Sequence, residues 1–92
     1  MIKSFQHKGL EAFFRSGSKA GIQAHHAARL KTMLFALDLA VRPADMNALG
    51  WRLHALTGKL KGYWSVSVSG NWRLIFRFQG GDAELLDYLD YH

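Results

Sequence analysis

The chain has 92 residues, 49% of them apolar and 13% aromatic, with a formal net charge of +5 and no cysteine. That balance excludes a disordered chain, a disulfide-stapled scaffold and any thiolate metal site. No stretch approaches the ~20 apolar residues of a membrane span, and Met1-Ile2-Lys3-Ser4-Phe5 opens without an export-type apolar segment. A single cytoplasmic domain over residues 1–92 is expected.

Ile2 to Phe5 suggests a short opening strand. Lys8 to Arg15 reads as a helix with Leu10, Phe13 and Phe14 on one stripe, stopped by Ser16-Gly17-Ser18. A second helix is predicted from about Ala24 to Ala40, its apolar face carried by Ala27, Leu30, Leu34, Leu37 and Val41 at three-four spacing. Pro43, the only proline, opens a turn or short helix with Ala44-Asp45-Met46.

From Trp51 the period becomes two. Trp51, Leu53 and Ala55 alternate with Arg52 and His54, and Thr57-Gly58-Lys59 turns the chain. Trp64, Val66 and Val68 alternate with Tyr63, Ser65, Ser67 and Ser69, as in a half-buried antiparallel strand. Ser69-Gly70-Asn71 turns again. Trp72, Leu74, Phe76 and Phe78 then oppose Arg73, Ile75 and Arg77. After Gly80-Gly81 the last strand runs from Ala83 to Tyr91, with Leu86, Tyr88, Asp90 and His92 of one parity and Leu85, Leu89 and Tyr91 of the other. Two helices followed by a four-stranded meander give an α+β fold, with both helices on one face of a twisted, mainly antiparallel sheet.

Charge is unevenly spread. All twelve Lys and Arg lie at or before Arg77, and only acids follow it: Asp82, Glu84, Asp87 and Asp90. A cationic body favours a polyanion such as nucleic acid over an acidic protein partner or a merely soluble surface. If the Trp72–Phe78 stripe faces the helices, Arg73 and Arg77 face away. They would form a shallow cationic groove with Lys59, Lys61 and His54 near one end and Asp90 and His92 at its rim. Guanidinium and ammonium groups hold phosphate oxygens, while imidazole and carboxylate relay protons. RNA brings its own nucleophile, the 2′-hydroxyl, so neither a metal nor a cofactor is needed. Tyr63 or Tyr91 can stack a base. Plainer roles remain open: Lys59 and Lys61 solvated in a turn, Arg73 paired with Asp87 or Asp90, and His7, His25 and His26 as surface residues near helix starts.

Taken in order, Leu53-His54-Ala55-Leu56-Thr57-Gly58-Lys59-Leu60-Lys61-Gly62-Tyr63-Trp64-Ser65-Val66, Gly70-Asn71-Trp72-Arg73-Leu74-Ile75-Phe76 and the terminal Asp90-Tyr91-His92 resemble the HigB toxins of the RelE superfamily. Ile2-Lys3-Ser4-Phe5 and Gly17-Ser18-Lys19-Ala20-Gly21 match as well. The resemblance implies a ribosome-dependent endoribonuclease of the bacterial cytoplasm that cuts messenger RNA by 2′-hydroxyl attack. It also implies a helix-turn-helix, HigA-type antitoxin, through which the pair represses its own operator DNA. By that pattern Asp90, Tyr91 and His92 are the catalytic end, Arg73 contacts phosphate and His54 belongs to the same site, with Lys59, Lys61 and Arg77 as further RNA contacts. Thr57 stands where many relatives carry Lys before the turn glycine, so the missing cation must come from Lys59, Lys61 or Arg73. Two other readings use the same face: a non-catalytic RNA- or ribosome-binding module, and a protein-interaction subunit with a basic docking surface.

Overall fold

A computed structural model describes residues 1–91. Helix α1 spans Lys8–Ser16 and α2 spans Ala27–Leu39; four strands follow, β1 (His54–Ala55), β2 (Trp64–Ser69), β3 (Trp72–Gln79) and β4 (Asp82–Asp90). The strands lie in sequence order and every neighbouring pair is antiparallel. The fold is therefore the α+β arrangement that the change of period after residue 50 predicts.

Local chemistry sets the helix limits. His7 Nδ1 accepts the Leu10 N–H at 2.9 Å, filling one of the orphan donors at the start of α1. Gly17 ends the helix at φ 80°, and its N–H returns to the Phe13 carbonyl at 2.9 Å. Gly9 of α1 meets Gly21 of the following loop so closely that a Cβ on Gly9 would stand 2.7 Å from the Gly21 Cα. Only glycine on both sides allows that approach.

The core lies between the helices and one sheet face. Leu10 and Phe13 of α1 join Leu30, Met33, Leu34 and Leu37 of α2, against Val66, Val68, Leu74, Phe76, Ala83, Leu86 and Tyr88. Each fully buried aliphatic or aromatic side chain contributes about 1.5–3 kcal/mol. β2 and β3 use the stripes their alternation predicts.

Five expectations are corrected. The opening segment forms isolated parallel bridges with β4, Ile2 to Ala83 and Phe5 to Leu86, rather than a strand of its own. It still covers a sheet edge that would otherwise be open. α2 is shorter at its start, where Ala24–His26 forms a single 3₁₀ turn. It also stops at Leu39, so Val41 falls outside the helical stripe and is 62% exposed, while Met33 within the helix joins the core. Trp51 to Leu53 is not strand, because Arg52 sits at φ 55° and breaks the extended run. Finally, His26 is no surface residue. It is buried, with Nδ1 2.6 Å from the Tyr88 hydroxyl, inside a ring cluster with Trp72 and His25.

A bulge in β4 decides which of its side chains reach the free face. Ile75 pairs with Asp87 but Arg77 pairs with Glu84, so three steps on β4 match two on β3. Leu85, at φ 56°, is the extra residue. Ala83 and Leu86 consequently both face the helices, fully buried, although their numbers differ in parity. Beyond the bulge Tyr88 stays in the core, and Leu89 falls opposite Arg73 on the free face.

Candidate active site

The free face of the sheet is organised by the β2–β3 hairpin. Ser67 lies directly across from Arg73 and Ser65 from Ile75, while His54 of β1 pairs with Ser65. These residues carry the parity opposite to the core stripe. His54, Ser65 and Arg73 line a polar hollow of about 230 Å³ together with Leu56, Thr57 and Tyr91. Leu56 is buried yet stands outside the main core, and it gives the hollow its one aliphatic lining residue.

Arg73 is held by one terminal nitrogen. Its Nη1 donates to the Gly70 carbonyl at 2.7 Å, to Ser67 Oγ at 3.2 Å and to the Trp72 carbonyl at 3.3 Å. Gly70 reaches the carbonyl orientation this needs at φ 55°, which side chains other than glycine and asparagine rarely adopt. Three acceptors around one nitrogen fix the guanidinium plane. Among the described residues every acceptor is neutral, so none of them cancels the guanidinium charge. The same turn holds the end of the chain, since the Tyr91 N–H donates to the Asn71 carbonyl at 2.8 Å. Arg73 and Tyr91 are thus registered against one another by residues 67–71.

The structure places the remaining sequence candidates unequally. His54, exposed at the end of the short β1, joins the hollow, as do Arg73 and Tyr91. Asp90 pairs with Trp72, on the parity of Tyr88 rather than that of Arg73, at the exposed tip of β4. The rim position on the arginine face that the sequence suggests for this carboxylate is not where the register puts it, because β4 turns its Tyr88 side to the helices. His92 lies outside the described residues. Lys59 and Lys61 are exposed on the 3₁₀ turn Gly58–Leu60 and just after it, beside Thr57 but not lining the hollow. Arg77 faces the same side as Arg73, but it bonds Glu84 at 3.0 Å and lies over the Tyr63 ring at 6.0 Å. Its charge is partly neutralised.

Chemically, the hollow offers an anchored cation, an imidazole, a phenol and two hydroxyls. Among the described residues no three His, Asp or Glu side chains converge as metal ligands. The larger cavity, about 520 Å³ between α1 and α2, is apolar and shares no lining residue with the hollow.

Comparison with known proteins gives this geometry a family. A family model described as the RelE-like toxin of the type II toxin–antitoxin system HigB matches residues 3–92. The chain belongs to the HigB-like toxins. It is also similar to Endoribonuclease HigB of Proteus vulgaris, at 45% identity over 92 residues that cover both chains completely. A HigB-like toxin of a type II system has an antitoxin as its partner. Within this toxin, Thr57 brings a hydroxyl to the lining of the hollow.

Sequence reasoning missed Ser65 and Ser67. Both were visible as small polar residues on the arginine parity, but nothing in the sequence says that the serine opposite an arginine will hold it.

Proposed function

We propose that this HigB-like toxin is an endoribonuclease that cuts messenger RNA in the decoding region of translating ribosomes and so stops growth. The observation that carries this reading is the convergence of Arg73, His54 and Tyr91 on one exposed hollow, with Arg73 oriented by acceptors that are all neutral among the described residues. The curated relative named as an endoribonuclease supports it.

The reaction uses the substrate's own nucleophile. A base removes the proton of a 2′-hydroxyl, and O2′ attacks the adjacent phosphorus as the P–O5′ bond breaks. An acid gives a proton to the departing O5′, leaving a 2′,3′-cyclic phosphate and a 5′-hydroxyl end. Arg73 stabilises the charge that builds on the phosphoryl oxygens, a role worth about 2.7–4 kcal/mol for one well-placed donor. His92 handles protons, Tyr91 positions or stacks the nucleotide, and His54 completes the site. Lys59, Lys61 and Arg77 contact flanking phosphates. These assignments follow the family resemblance, and one domain over 1–92 holds them all. The antitoxin is of the HigA helix-turn-helix type, reaches operator DNA on the toxin's behalf, and restrains it in the bacterial cytoplasm.

Primer extension on messages after induction tests the proposal. New 5′ ends within translated regions, absent with Arg73→Ala at equal expression, are expected. Growth arrest without new ends would instead favour a non-catalytic ribosome-binding module.

A further inference from the structure

The apolar groove between α1 and α2 shares no lining residue with the polar hollow around Arg73. It is the larger cavity, about 520 Å³, and its walls are largely phenylalanines and alanines. Phe35 stands 69% exposed at its edge, an orientation that solvent alone does not favour. Phe14 also lines the groove and is braced by Phe5, ring centroids 5.7 Å apart. Ala28, also in the wall, presents almost no side chain, so another backbone can come close. Lys19 and Lys31 line it too, both exposed, and neither is in an ion pair among the described residues. The only carboxylate on α1, Glu11, is already paired with Arg15 at 3.0 Å.

An aromatic anchor in an apolar trough, flanked by unpaired cations, has the anatomy of a protein-binding hot spot. The apolar lining, three phenylalanines with alanines and a leucine, fits the aliphatic side chains of a protein segment. This toxin has an antitoxin partner, and a protein that must hold it needs such a surface. We propose that the α1–α2 groove seats a segment of the antitoxin, an amphipathic stretch whose apolar side chains fill the trough beside Phe35 and whose flanking carboxylates meet Lys19 and Lys31. The inference rests on the family assignment and not on the roles given to the catalytic residues.

Calorimetric titration of the folded toxin with the antitoxin encoded beside it is the test, using Phe35→Glu and Lys31→Glu. Both positions are exposed, so neither change should move the melting temperature. Phe35→Glu is expected to weaken binding on the order of 100-fold, and Lys31→Glu about tenfold with a shallower salt dependence. Both variants should arrest growth as the wild type does, yet escape rescue by the antitoxin. Variants that bind like the wild type would overturn the groove assignment alone. A wild-type chain that does not bind that protein would overturn the toxin–antitoxin pairing with it. Concentration-dependent dimers of the toxin that Phe35→Glu abolishes would replace the antitoxin by a second copy of the chain.

Discussion

At the scale of single residues, the site depends on how Arg73 is held. Ser67 Oγ is one of three acceptors around Nη1, and the only one that belongs to a side chain. Ser67→Ala should leave the fold intact and lower the cleavage rate about tenfold, the cost of one lost hydrogen bond to a charged group. Ser67→Thr, which keeps the hydroxyl, should recover most of it. The decisive comparison is a double-mutant cycle: in an Arg73→Ala background, Ser67→Ala should have no further effect. Additive losses would mean that Ser67 acts elsewhere. Thr57 supplies a second prediction. It lines the hollow as a neutral hydroxyl, so Thr57→Lys adds a cation where a phosphate would sit. Cleavage measured on the same messages should rise about tenfold, in line with one charge-assisted contact; a fall would place the phosphate elsewhere.

At the scale of elements, the buried pair between the turn before α2 and strand β4 gives the fold a pH dependence. His26 Nδ1 lies 2.6 Å from the Tyr88 hydroxyl, which also accepts the Gln23 N–H at 3.3 Å. Burial and then the charge of neighbouring His25 hold the His26 imidazole below its usual range, while burial pushes the Tyr88 phenol up. His7 packs edge-on to Tyr88 from the start of α1, and Trp72 stacks on it from β3 at 4.7 Å. The sign follows from linkage. Below about pH 6.5 the unfolded chain protonates its imidazole before the folded chain does. Stability from this pair is therefore complete above about pH 6.5 and is lost as pH falls through the window beneath it. Urea midpoints from about pH 7.5 down to about pH 5.5 should show a decline that His26→Gln flattens. An unchanged slope in that variant would assign the acid sensitivity to other groups.

Much of this scale was legible in the sequence. The alternation in β2 and β3 fixes which side chains meet the helices, because a pleated strand leaves no other choice. The acidic last strand resists the same reading. One bulge at Leu85 resets its parity, and a bulge depends on which two strands must keep pairing, not on local composition. Tyr91 lines the hollow with Arg73, while Asp90 stands across from Trp72. His26 was hidden for a similar reason, since only the return of β4 supplies the phenol that satisfies a buried imidazole.

At the scale of the whole molecule, two surfaces of different chemistry share one small fold. One carries a polar hollow around Arg73, the other an apolar groove between the helices. All twelve Lys and Arg lie before residue 78 and the net charge is +5, a balance that favours a polyanionic partner. In this mechanism the scissile nucleotide supplies the attacking oxygen, and the protein only orients, neutralises and exchanges protons. A message carrying a single 2′-deoxynucleotide at the mapped cut position, presented on translating ribosomes, tests that division of labour most directly. No cleavage is expected at that position, with 5′-hydroxyl ends from the all-ribose control. Cleavage of the deoxy-substituted message at the control rate would contradict it.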